Sequence, residues 1–196
     1  QREADLVGFK INKLVYNPIG ESFSNLFTHN PSSNKLIHIG YLDARKNTEF
    51  IIKALSLSSN KEIILDIIGE GELMDSLVNL RNTLGLRDRV CFKGFVNLSD
   101  KVISCSGLVM ASKSEGFSMI ISDALKSGIP VFVPDNLDIS SYINSRNHGA
   151  VFNLNNPANL ASLFDNLNFN DFDYNQISND YIKFFGDKAY SKRINS

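Results

Sequence analysis

From Lys35 onward the chain alternates short apolar runs with longer amphipathic ones. The apolar runs are KLIHIG (35–40), EIILDIIG (62–69), RVCFKG (89–94), GLVMAS (107–112), PVFVP (130–134) and AVFN (150–153). Each is largely continuous in apolar character rather than alternating, so each reads as a strand buried on both faces. That condition is met in a parallel sheet covered by helices. Between the runs, helical spacing appears over Asn47 to Ser58, Glu72 to Leu84, Leu98 to Ser104, the segment after Ser112, Ile139 to Ser145, and Asn159 to Leu167. Asn47 stands where an N-cap is wanted and Gly85 where a C-cap is wanted. Before Lys35 the pattern is weaker. LVYNPIG (14–20) reads as a strand closed by Asn17-Pro18 and Gly20, and 21–34 as a Ser/Asn-rich loop with one helical turn.

Six apolar strands alternating with helices, joined by right-handed crossovers, define an α/β fold. It is a doubly wound, Rossmann-like parallel sheet with the expected strand order 3-2-1-4-5-6. Residues 35–168 form this domain, 1–34 lead into it, and 169–196 add helices outside the sheet. In that last segment aromatic residues mix with charge, and Lys183, Lys188, Lys192 and Arg193 read as a solvated face.

Composition narrows the picture. Apolar residues make up 43% of the 196 residues, enough for a sizeable core. The net charge of -1 favours neither nucleic acid nor an acidic surface as partner. The two cysteines, Cys91 in a strand-like run and Cys105 in a helix-like one, read as buried and reduced. No cysteine/histidine spacing suggests a metal site. No apolar run approaches the ~20 residues of a membrane span. The first residue is Gln rather than Met, so a fragment of a longer protein is expected.

In such a sheet, ligands bind outside the carboxyl ends of the strands where the order reverses, between the first and fourth strands. The first strand ends at Gly40 and is followed by Tyr41-Leu42-Asp43-Ala44-Arg45-Lys46. The fourth ends at Ser112 and is followed by Lys113-Ser114-Glu115-Gly116-Phe117-Ser118, then a helix running past Met119 and Asp123 to Gly128. One loop brings two cations; the other brings a glycine turn, a helix N-terminus and an acid. Cations and unpaired helix-start amides suit a diphosphate, and carboxylates suit sugar hydroxyls. Several classes drop out. No G-x-G-x-x-G follows the first strand, no G-x-x-x-x-G-K-[ST] loop is present, and no G-x-S-x-G elbow appears. Gly69-Glu70-Gly71 reads as a tight turn.

The order VYNPIG, HIGYLDARKN, DIIGEGEL, VCFKGFV, VMASKSEGFSMIISDAL, GIPVFVP and HGAVF resembles the C-terminal domain of GT-B-fold, retaining, nucleotide-sugar-dependent glycosyltransferases. These are called glycosyltransferase family four or group 1. The likeness runs in register from about Leu14 to Leu167. Its most specific part is the pair of acids eight apart around E-G-F, Glu115 and Asp123.

The resemblance implies roles. Glu115 would contact and orient the donor sugar, and Lys46 would pair with the diphosphate. The amides of Phe117, Ser118 and Met119 would bind pyrophosphate or sugar, and Asp123 the ribose hydroxyls. Gly94, Phe95 and Val96 would supply backbone contacts to the base. With Gly40, Arg45, Ser112 and Gly116 these make up the expected donor site, and Glu115 and Lys46 the catalytic pair. The resemblance implies no metal and no cofactor beyond the nucleotide-sugar donor, with a UDP-sugar expected before a GDP-sugar. It implies a glycan or lipid-linked acceptor held by a separate N-terminal domain, and a chain that alone binds donor without transferring sugar. Three positions depart from the family pattern: Tyr41 replaces an Arg, Asp123 a Glu, and Ser118 a Gly.

The alternatives are half of a sugar-nucleotide epimerase and a non-catalytic nucleotide- or partner-binding domain. The Asn/Ile/Lys/Ser-rich composition fits an AT-rich bacterial genome. The expected setting is therefore surface-polysaccharide synthesis in the cytoplasm, with peripheral association at the inner face of the cytoplasmic membrane.

Overall fold

The computed structural model describes residues 26–98, 102–116 and 118–186. The LVYNPIG strand, the Phe117 amide, and Lys188, Lys192 and Arg193 lie outside the described residues. The strands are β1 Phe27–His29, β2 Lys35–Ile39, β3 Ile64–Ile68, β4 Val90–Phe92, β5 Ile103–Cys105, β6 Gly107–Val109, β7 Val131–Pro134 and β8 Gly149–Phe152. The helices are α1 Thr48–Leu57, α2 Met74–Thr83, α3 Met119–Lys126, α4 Ser140–Arg146, α5 Pro157–Asp165 and α6 Tyr174–Phe185.

Six strands form one sheet in the order β4-β3-β2-β6-β7-β8. Every neighbouring pair is parallel. This is the expected 3-2-1-4-5-6 order, and the order reverses between β2 and β6. The apolar runs are continuous because both faces are covered. On one face Leu36, Leu65, Ile67, Val109 and Phe132 pack against α1 and α5 through Ile51, Leu55, Leu160 and Phe164. On the other, Ile37, Ile39, Leu108 and Val131 pack against α3 and α6 through Ile121, Leu125, Ile177 and Tyr181.

Two local readings need correction. Ile103–Cys105 is a strand, not the end of a helix from Leu98, and it pairs in parallel with β1 in a separate two-stranded sheet. Phe27–His29 therefore extends where a loop was expected. Each strand has only three residues, too few for a periodic signal to emerge. Cys105 ends β5, and both cysteines are free. Asn47 stands at the N-cap position of α1, as expected. It precedes α1 in the left-handed region at φ 53° and makes no side-chain cap bond. Asn suits the position because it tolerates that backbone, while the turn is held by Asp43, whose Oδ1 accepts the Lys46 N–H at 2.8 Å. Helix α5 starts two residues earlier than expected. Asn156 caps it by accepting the Ala158 N–H, and Pro157 occupies the first turn, where its missing N–H costs nothing.

The C-terminal helix α6 docks by aromatic packing. Tyr142 of α4 meets Tyr181 and Phe185 edge-on, and the Arg146 guanidinium lies 4.5 Å from the Tyr142 ring centroid. Tyr181 also donates to Ser122 Oγ at 2.9 Å, tying α6 to α3. Lys183 is exposed, as a solvated face requires.

Candidate functional site

At the reversal point the loops after β2 and β6 are sewn together. The Lys113 N–H donates to the Arg45 carbonyl at 2.9 Å, and Asn136, in the loop after β7, donates from Nδ2 to the Lys113 carbonyl at 2.6 Å. The side chains then converge. Lys46 Nζ lies 2.5 Å from Glu115 Oε1, and both side chains are nearly buried, 12% and 11% exposed. The Arg45 guanidinium sits 3.2 Å from the same oxygen and donates to the Ser114 carbonyl at 3.3 Å. Arg45 thus points into the site. Gly40 leaves room for the lysine stem, since a Cβ there would lie 3.0 Å from Lys46 Cε.

Burial alone would push the Glu115 carboxyl up. The hydrogen bond from Lys46 and the charges of Lys46 and Arg45 outweigh it and hold the group below the usual carboxylate range. Beneath this cluster His38 is fully buried. Its Nδ1 lies 3.1 Å from the Val109 carbonyl and its Nε2 3.0 Å from Thr48 Oγ1. A carbonyl only accepts, so Nδ1 carries the proton and Nε2 accepts from the threonine. The ring thereby ties β2 to the end of β6 and to the first residue of α1. Burial is the main reason its pKa falls to about 4; the nearby Lys46 charge adds to the fall, and the Val109 bond and Glu115 only partly offset it.

Glu115 and Gly116 precede α3, whose first turn opens at Met119. A Cβ on Gly116 would meet nothing within 4 Å, so the turn borders open space. Ser112 is buried and Ser118 half-buried. Met119 and Asp123 share one helix side but differ sharply: Met119 is 56% exposed and Asp123 is 1% exposed.

Beside the charged cluster lies a cavity of about 360 Å³ at the ends of β2, β3 and β4. Ile39, Ile68, Val96 and Leu98 give it an apolar lining, Gly40 and Gly69 form part of its wall, and Tyr41, Glu70 and Phe95 complete it. Tyr41 and Phe95 are exposed. Glu70 Oε1 accepts the Phe95 N–H at 3.3 Å. Gly69 adopts φ +139°, and a Cβ there would fall 1.9 Å from the Gly40 carbonyl oxygen, so the G-E-G turn fixes the approach of two loops. The Gly94 carbonyl accepts the Gly69 N–H at 2.8 Å, which ties the loop after β4 to this turn.

The structure therefore brings Gly40, Arg45, Lys46, Ser112 and Glu115 into one cluster, and Phe95 and Val96 into an adjoining cavity. Sequence reasoning passed over His38, Glu70 and Asn136. For Glu70 a signal existed, because it follows a strand end next to the reversal point. No group of three or more histidine, cysteine or acidic residues able to hold a metal occurs among the described residues.

A parallel sheet with this reversal point defines a Rossmann-like α/β half-domain with its cleft at the carboxyl ends of the strands. The chain belongs to the family Glycosyl transferases group 1, whose model matches residues 21–183. A Methanocaldococcus jannaschii protein described as the uncharacterized glycosyltransferase MJ1607 is 27% identical over 169 residues, covering 82% of this chain and 43% of that protein. A Campylobacter jejuni N-acetylgalactosaminyltransferase acting on a diphospho-undecaprenol-linked sugar is 33% identical over 101 residues, 51% of this chain and 27% of that protein. The chain thus spans less than half the length of these relatives. Among solved structures, the lipopolysaccharide outer core galactosyltransferase WaaB in its apo form superposes with a TM-score of 0.82 at 19% identity, over 99% of this chain and 57% of that one. Anabaena HepE in complex with UDP and glucose gives 0.73 at 17% identity, over 93% and 55%. These structures establish the GT-B fold of the half-domain.

Proposed function

We propose that this chain is the donor-binding half of a retaining glycosyltransferase that moves a sugar from a nucleoside diphosphate to a glycan or lipid-linked acceptor. The observation that carries this is the convergence of Lys46 and Arg45 on Glu115 at the sheet reversal, next to the start of α3. Two cations and helix-start amides are what a departing diphosphate needs, because its charge grows as the sugar leaves.

In this reading Lys46 and Arg45 turn from Glu115 to the diphosphate, and the amides of Phe117, Ser118 and Met119 take its remaining oxygens. Glu115, released, accepts hydrogen bonds from the sugar and orients it. Asp123 lies buried beneath the same helix start, so its service to the ribose hydroxyls requires that start to move aside, and Gly94, Phe95 and Val96 border the base. The bond between the anomeric carbon and the phosphate oxygen breaks, its electron pair going to the diphosphate. The acceptor oxygen bonds to that carbon from the same face, and its proton passes to the leaving phosphate oxygen. The activities of relatives, O-antigen biosynthesis in Escherichia coli among them, support surface-polysaccharide assembly as the setting. Cytoplasmic action at the membrane's inner face belongs to the same proposal. No helix among the described residues is long and apolar enough to cross a membrane.

Calorimetric titration of the chain with UDP, GDP and ADP tests the reading. Saturable nucleoside diphosphate binding that is lost on Lys46→Ala supports it. Absence of binding by all three favours a partner-binding domain instead.

A further inference from the structure

We propose that Glu70 selects the nucleobase, favouring bases that present a ring N–H, with Tyr41 and Phe95 as the flanking aromatic surfaces. This rests on the donor-site reading above and goes beyond it, since that reading gives the base only backbone contacts. Glu70 is the one charged side chain among the residues lining the 360 Å³ cavity, and Tyr41 the one other polar side chain there. The carboxylate is positioned rather than loose. Gly69 pins its loop against the Gly40 carbonyl, and the Phe95 N–H holds Oε1 at 3.3 Å.

An ionised carboxylate accepts hydrogen bonds and donates none. Uracil offers N3–H on its pairing edge and guanine offers N1–H and its amino group. Cytosine and adenine present a bare ring nitrogen at the matching place, which a carboxylate repels. An acceptor fixed in an otherwise apolar hollow therefore discriminates by leaving the wrong base unpaired. The aromatic residues fit the same occupant. Tyr41 is 59% and Phe95 73% exposed at the mouth of the cavity. Neither ring stacks on another ring among the described residues, and a flat base can cover both.

The test is calorimetric titration of the intact chain and of Glu70→Gln with UDP, GDP, CDP, ADP and inorganic pyrophosphate. Gln keeps an oxygen for the Phe95 N–H, so the loop contact survives, and its amino group offers a donor in place of the lost acceptor. The wild-type chain should bind UDP or GDP roughly 10-fold or more tightly than CDP and ADP. The UDP and GDP titrations separate the two sources of a ring N–H. Glu70→Gln should bring that ratio to within about threefold or invert it, with pyrophosphate affinity unchanged. Equal wild-type binding of all four nucleotides, or an unchanged ratio in Glu70→Gln, overturns the inference and leaves the donor site standing. A parallel loss of pyrophosphate binding overturns it by making Glu70 a structural residue. Failure of every nucleotide to bind removes the donor site and this inference together.

Discussion

The loops after β2 and β6 meet through charge, whereas those after β2, β3 and β4 meet around an apolar hollow. In the first region the charged side chains already have partners: Lys46 and Arg45 hold Glu115, Asp43 holds the Lys46 amide, and His38 braces the floor. In the second region, Tyr41 and Phe95 face solvent and, among the described residues, Glu70 is held by the Phe95 backbone N–H alone. The difference teaches how the two parts handle a ligand. The charged region must exchange an internal ion pair for an external one, so its net gain is modest and depends on geometry. The hollow exchanges water for a flat apolar surface, so its gain follows area and stacking.

The two regions share one wall, at Gly40, and the largest effect comes from breaking it. Gly69→Ala places a methyl 1.9 Å from the Gly40 carbonyl oxygen at a backbone angle hostile to side chains. It should cost on the order of 3 kcal/mol or more, read as a fall in the denaturant midpoint, and abolish binding in both regions. Acid comes next. His38 binds its proton only at about pH 4 when folded and near 6.5 when unfolded. The unfolded chain therefore holds more protons between those values, and folding stability falls as pH drops from 6.5 to 4. The loss should reach about 3 kcal/mol. Glu115 follows only below the usual carboxylate range, since its pKa is lowered and its pairing is lost as pH falls through that value. His38→Gln should flatten the upper part of the pH–stability curve.

Two smaller effects separate the regions. On the proposed donor site, losing the Lys46 charge in Lys46→Ala should weaken UDP and pyrophosphate alike by roughly 10- to 100-fold. Phe95→Ala should weaken UDP about 5-fold through lost stacking, with pyrophosphate affinity retained. Equal losses for both ligands in Phe95→Ala would erase the distinction between the regions.

The sheet was legible because its strands are apolar on both faces, so KLIHIG, EIILDIIG and GLVMAS carry a signal that short alternating strands lack. The reversal point followed from strand order, and with it the meeting of Arg45 and Lys46 with Glu115. The β1–β5 sheet was not legible. Phe27–His29 and Ile103–Cys105 are too short to show a period, and only their partnership makes them strands. Asn47 was legible as the residue heading α1, but its left-handed backbone was not, because cap residues and left-handed residues draw on the same amino acids. Glu70 was masked by its glycines: G-E-G reads as a turn, so the signal of an acid at a strand end beside the reversal point was passed over. His38 lies within an apolar run, and its bond to Val109 spans 71 residues.

The most direct test of the central claim is an amide chemical-shift titration of the chain with UDP. The account predicts saturable shifts at Lys46, Glu115, Ser118 and Met119 together with Gly40, Gly94 and Phe95, all following one binding curve. Shifts confined elsewhere, or none at millimolar UDP and GDP, would contradict it.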